Sequence, residues 1–101
     1  MVGGGEMIPG TVGKMTEKTV ESATTIRVTA DIMRVSGVVP VTNLVPGLGG
    51  NIPQGVLLYS TSGTIAVSEA GNINLGGIAT NLTTTSGVRL IYNPKLTKWT
   101  L

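Results

Sequence analysis

From Gly55 onward the chain is written in short apolar runs, each opened by a glycine and closed by a polar turn. Gly55–Ser60, Gly63–Ser68 and Gly71–Leu75 follow this plan, and Gly87 opens a last run, Val88–Tyr92. Glycine at this density, with β-branched residues between, interrupts any helical period and reads as a series of short strands. Asn93, Pro94 and Lys95 form a strong breaker after the last run. Val88–Tyr92 and Lys98–Leu101 are therefore expected to pair as a terminal hairpin, with Trp99 packed near Tyr92 or against the strand at Leu90 and Ile91.

The rest of the chain reads as leading into this block. From Thr24 to Gly37 apolar and polar residues alternate, with Ile26, Val28, Ala30 and Ile32 on one parity and Arg27, Thr29 and Asp31 on the other. The parity then slips, so that Met33 and Val35 are apolar while Arg34 and Ser36 are polar. A one-residue slip exchanges the faces of a strand, so a turn or bulge belongs near Asp31–Met33, between strands at about 25–30 and 32–36. Arg27, Asp31 and Arg34 read as a solvated polar face, with a charge contact across a subunit boundary as the alternative. Val38 to Val45 is apolar on both parities, and Pro40 keeps it from being a central strand. Such a run is buried on both sides or lies at a subunit interface, and Leu57 and Leu58 pose the same choice. Residues 46–53 read as a turn-rich connector. Asn72 and Asn74 flank Ile73; they are either exposed polar positions or amides that bond adjacent backbone, as in a β-helical core.

Residues 1–20 carry Gly3, Gly4, Gly5, Pro9, Gly10 and Gly13 and have little periodicity. They are expected to form a flexible or extended arm: a tail with no fold of its own, or an arm that orders against a neighbouring surface. Met1, Met7, Ile8 and Met15 are its adaptable apolar anchors. Residues 21–101 form a single β domain. The expected fold is all-β, a small module of short strands with the arm extended from it.

Much chemistry is excluded. The chain has 101 residues with no His and no Cys, so the familiar nucleophile–base triads and thiolate metal sites are absent. Gly10-Thr11-Val12-Gly13-Lys14-Met15 fails the Walker pattern, since two residues rather than four separate its glycines and Met15 follows the lysine. Gly47-Leu48-Gly49-Gly50 lacks the third glycine and the following helix of a dinucleotide fingerprint. Asn81-Leu82-Thr83 matches a glycosylation sequon, which is read as chance without a secretory signal. The net charge of +2 is spread without a Lys/Arg cluster, which argues against nucleic acid. No apolar run approaches the roughly 20 residues of a membrane span. No enzyme activity and no cofactor are expected. Low charge and a positive mean hydropathy suggest a protein that hides much of its surface in an assembly.

Several motifs carry a family likeness. Arg34–Gly37 leading through Val41–Leu44 looks like a polar strand followed by "v-x-G…I-x-x-I". Gly55–Tyr59 resembles "G-x-x-x-L", and Gly71–Leu75 resembles "G-N-I-x-L". Val88–Asn93 with Lys98-Trp99 is similar to the closing "L-x-L-x-Y-D-G-x-x-W". Together, over roughly residues 32–101, these resemble a small β module of tailed-bacteriophage structural proteins, including capsid decoration (cement) proteins, head fibres and tail spikes. Asn93–Thr97 departs from the family's short Asp-Gly turn, and the chain stops at Leu101 just after the Trp. The resemblance implies a small β-sandwich or β-helix-like module that forms a homotrimer on the virion surface, made in the host cytoplasm, with the major capsid protein of the shell as partner. A free-standing chain of this length fits a decoration protein that stabilises the assembled shell. The alternative is a head-fibre or tail-fibre module that binds host surface glycans or receptors. The runs that are apolar on both faces put Val39, Val41, Leu44 and Leu57 at the expected subunit interface, with only the number three coming from the resemblance, and Met7, Ile8 and Met15 are expected to contact the shell.

Overall fold

A computed structural model describes residues 15–101. Among the described residues there are ten strands and no helix. They are β1 (Glu17–Glu21), β2 (Thr25–Arg27), β3 (Ile32–Ser36), β4 (Asn43–Val45), β5 (Gln54–Ser60), β6 (Ile65–Val67), β7 (Ile73–Asn74), β8 (Thr80–Leu82), β9 (Val88–Asn93) and β10 (Lys98–Thr100). The protein is all-β, as its glycine punctuation and β-branched runs predict.

The main sheet has six strands in the order β1-β3-β5-β9-β10-β7. Its first three strands are parallel. Parallel neighbours need a crossover, and here each crossover carries a strand of a second layer. The chain goes from β1 through β2 to β3, then through β4 to β5, and β2 and β4 pair with each other in parallel. The first half of the fold is thus a short β-coil. An isolated parallel bridge from Val41 to Val67 carries the second layer on towards β6, which pairs antiparallel with β8. The second half extends the main sheet with antiparallel pairs, β5 to β9 and β9 to β10, and ends it on β7, which runs parallel to β10. The terminal hairpin has the expected register, with Trp99 opposite Tyr92. Its turn is held by the Asn93 side chain, whose Oδ1 accepts the Lys95 N–H at 2.9 Å.

One apolar core lies between the layers. The parity slip has a simple origin, and it comes before Ile32, which is only half-buried and does not join Ile26, Val28 and Ala30 in the core. Ile26 and Val28 point into the core from β2 and its extension, the chain bends at Asp31, and Met33 and Val35 enter the same core from the opposite layer. The regular ladder of β2 stops at Arg27, earlier than the alternation suggests, although Val28 still donates to the Val45 carbonyl at 3.0 Å. Trp99 is fully buried, its ring centroid 5.3 Å from that of Tyr92.

Two expectations are corrected here. β1 begins at Glu17, so sheet structure enters the segment assigned to an arm over residues 1–20. Its sequence looks polar because only Val20 packs against the core; the edge of β3 supplies its hydrogen-bond partners. Val41 and Leu44, expected at a subunit interface, have no accessible surface and belong to the chain's own core.

Candidate interaction surface

The strands of the main sheet have two faces, and only one meets the core. On β3, β5 and β9 the residues Met33, Val35, Val56, Leu58, Val88 and Leu90 point inward. The alternate residues necessarily point outward. The ladder registers arrange these in rows across the strands. One row runs Glu17, Ile32, Leu57, Arg89. The next, towards the far end of β1, runs Thr19, Arg34, Tyr59. On the other side lie Gly55 and Ile91. The outward face is therefore an apolar strip of half-buried Ile32, Leu57 and Tyr59 with exposed Ile91, bordered by charges.

The charges are ordered. The Arg34 guanidinium donates from Nε to the Glu17 carboxylate and lies over the Tyr59 ring, 5.4 Å from its centroid. A cation held over an aromatic face and beside a carboxylate is restrained in position even where it is wet. Arg89 is exposed at the other end of the row. Near the start of β1, Thr16 and Asp31 lock together. The Thr16 N–H and hydroxyl both donate to Asp31 Oδ2, at 2.9 and 3.0 Å, and the Thr16 hydroxyl accepts the Asp31 N–H at 3.0 Å. These bonds, the backbone one first, hold the Asp31 carboxyl below its ordinary range. Asp31 thus fixes the entry of β1 into the sheet.

Two hollows adjoin the face. One of about 160 Å³ is lined by Met15, Asp31, Gly55, Val56, Leu57 and Arg89. A larger groove of about 410 Å³ lies between Thr16, Asp31 and the loop before β5, with Leu48, Pro53 and Gln54 on its far wall. The Gln54 amide is committed to that loop: it accepts the Leu48 N–H at 3.0 Å and donates to the Gly49 and Ile52 carbonyls. Among the described residues no group of three His, Cys, Asp or Glu is placed to hold a metal ion. No helix long and apolar enough to cross a membrane occurs among the described residues.

The residues singled out from the sequence part company. Leu57 lies in the middle of the outward face, and Met15, 56% exposed, shares a hollow with it. Val39 sits in the turn after β3, half exposed, where its N–H donates to the Ser22 hydroxyl at 3.0 Å. Val41 and Leu44 are internal. Met7 and Ile8 lie outside the described residues. Of the group read as a solvated polar face, Arg34 pairs with Glu17, Asp31 with Thr16, and Arg27 is exposed. The sequence reading missed Ile32, Tyr59, Arg89 and Ile91 as members of one surface. The alternation in Val88–Tyr92 already placed Arg89 and Ile91 on the outer parity; what it lacked was the order of the strands.

Comparison with protein-family models, with characterised proteins and with solved structures returned no match.

Proposed function

We propose that the chain is a structural assembly protein that works by burying the outward face of its main sheet against another protein surface. The observation that carries this reading is the strip of Ile32, Leu57, Tyr59 and Ile91, apolar at its centre and edged by Glu17, Arg34 and Arg89. A dry centre with a charged rim is the anatomy of protein–protein contacts. Sheets with one face solvated normally carry polar residues there, so adjoining apolar side chains at the centre of the exposed face call for a partner. The setting that the motif resemblance supports is the assembled shell of a tailed bacteriophage, with the chain as a decoration protein that binds and stabilises it.

Purified empty shells test the proposal. The expected result is binding at a fixed copy ratio with increased resistance of the shell to heat, and loss of both when Leu57 is replaced by Asp. A protein that binds host cells or glycans instead, and leaves shell stability unchanged, belongs with host-recognition modules.

A further inference from the structure

We propose that the outward face is self-complementary, and that its occupant is a second copy of this chain in a two-fold pairing that sets Glu17 of each copy against Arg89 of the other. This rests on the reading of the face as an interaction surface and names what covers it.

The pattern of the rows leads there. Across the strands the central row reads anion, apolar, apolar, cation: Glu17, Ile32, Leu57, Arg89. Two copies stacked face to face about an axis parallel to the strands, passing between β3 and β5, meet with the row reversed. Glu17 then faces Arg89, and Ile32 faces Leu57. In the neighbouring row Arg34 faces Tyr59, repeating between copies the cation–ring contact that exists within each. On the other side, Met15 stands two residues before Glu17, and Ile91 is set back by the same interval from Arg89 because β9 runs antiparallel to β5. The axis brings these two exposed apolar side chains together, 56% and 40% accessible in the single chain.

The competing two-fold axis lies across the strands. It places Glu17 on Glu17 and Arg89 on Arg89, and like charges facing across a dry contact are unfavourable. Charge therefore chooses between the two stackings. An isologous contact also needs one patch only, which this face supplies. Aligned sheets twist against one another by about 30°, a geometry compatible with an axis along the strands.

The contact is small. Four strands spaced about 4.8 Å apart, with about five residues each, present roughly 300–400 Å² per copy. The area buried by two copies falls below the standard size of stable complexes, so pairing in free solution is weak and is strengthened where a scaffold holds copies side by side. The symmetry is two-fold and differs from the trimer that the family resemblance implies; measured mass separates them.

The test uses two charge-reversed chains, Glu17→Lys and Arg89→Glu, both at exposed positions, with circular dichroism to verify folding. Sedimentation equilibrium is run up to about 1 mM, where an association worth about 4 kcal/mol populates dimers. Wild type is expected to shift towards twice its 10.3 kDa mass. Each variant alone is expected to lose at least tenfold in association, because each homodimer carries two like-charge contacts. An equimolar mixture of the two should recover it. The lysine introduced in one chain then faces the glutamate introduced in the other, and the native Arg89 of the first faces the native Glu17 of the second. Recovery on mixing also shows that both variants are folded. A trimer mass, a wild type that stays monomeric throughout, or variants that associate as wild type does would each overturn the pairing. A monomeric wild type whose shell binding is nevertheless abolished by Leu57→Asp would overturn the second copy as occupant while leaving the face an interaction surface. If Leu57→Asp changes neither self-association nor shell binding, both this inference and the reading beneath it fail.

Discussion

The side chain of Asn72 closes on the backbone of Leu44 as a strand would. Its Oδ1 accepts the Leu44 N–H at 2.8 Å and its Nδ2 donates to the Leu44 carbonyl at 2.7 Å. β4 pairs with β2 on one side only, so these are the groups its other edge leaves open. The same carbonyl receives the buried Trp99 indole N–H at 3.0 Å, and the Asn72 carbonyl accepts the Trp99 N–H at 2.8 Å. Gly71 makes the approach possible. A Cβ there would run into the Thr42 carbonyl and the Asn43 side chain. The amide thus caps the open edge of β4 at Leu44 and ties it to the terminal hairpin.

Replacing Asn72 with Ala should therefore cost about 2 kcal/mol, since it removes two bonds and leaves the Leu44 N–H without a partner. Thermal unfolding should move down by roughly 10 °C for a domain of this size. Asn72→Asp keeps an acceptor for that N–H but faces the carbonyl with a carboxylate, so it should not rescue. An unchanged melting temperature in both variants would show that water serves these groups equally well.

Trp99 is the largest fully buried side chain, so Trp99→Ala should cost about 3–5 kcal/mol. Trp99→Phe should cost less than Ala, because it keeps much of the volume and gives up the indole bond to Leu44. Urea denaturation followed by circular dichroism measures both; equal losses would mean that the hydrogen bond, and not the packing, dominates.

The hairpin and the slip at Asp31 were legible because they are local. Val88, Leu90 and Tyr92 share a parity, Asn93 and Pro94 stop the run, and the exchange of faces between Ala30 and Met33 marks a bend. The coil was not legible. Glu17 stands opposite Ile32 and Ile32 opposite Leu57, steps of 15 and 25 residues that leave no period to detect. Nor does apolarity on both parities say which residue turns inward: Leu58 and Val41 do, Leu57 and Val39 do not. The candidate surface depends on strand neighbours far apart in sequence, so no local pattern announces it. Of the two asparagines beside Ile73, Asn72 bonds backbone on a neighbouring layer, whereas exposed Asn74 bonds only its own turn, at Gly76.

The loop after β7 should loosen in acid. The Glu69 carboxylate accepts the Gly77 N–H at 3.2 Å and also the Leu75 N–H. These bonds, that of Gly77 first and then that of Leu75, hold its pKa below the ordinary 4.5. A carboxyl whose pKa is lowered in the folded state contributes stability in full above its unfolded value. That contribution is lost as pH falls through the lower, folded value. Amide hydrogen exchange at Gly77 and Leu75, corrected for the intrinsic pH dependence, should show protection falling below about pH 4.5. In Glu69→Gln the acid-dependent step should disappear. A step that persists in that variant belongs to another carboxyl.

Leu57 and Leu58 are adjacent in β5, and the two-residue period of a strand sends them to opposite faces. Leu58 has no accessible surface and stands between Met33 on β3 and Val88 on β9. Leu57 occupies the outward row between Ile32 and Arg89. Asp at residue 58 forfeits about 2–5 kcal/mol of packing and buries an unpaired carboxylate besides. Against a total stability of about 5–15 kcal/mol for a natural domain, that substitution should leave the chain unfolded. Asp at residue 57 meets water on one side and Arg89 on the other, so the fold should survive with a loss near or below about 1 kcal/mol. Paired circular dichroism melts of Leu57→Asp and Leu58→Asp make the comparison. A folded Leu57→Asp that no longer assembles would locate the contact on the outward face. Two unfolded variants would mean that this face is needed by the chain's own core, and the surface would have to be sought at Val38 and Val39 instead, the exposed apolar turn after β3.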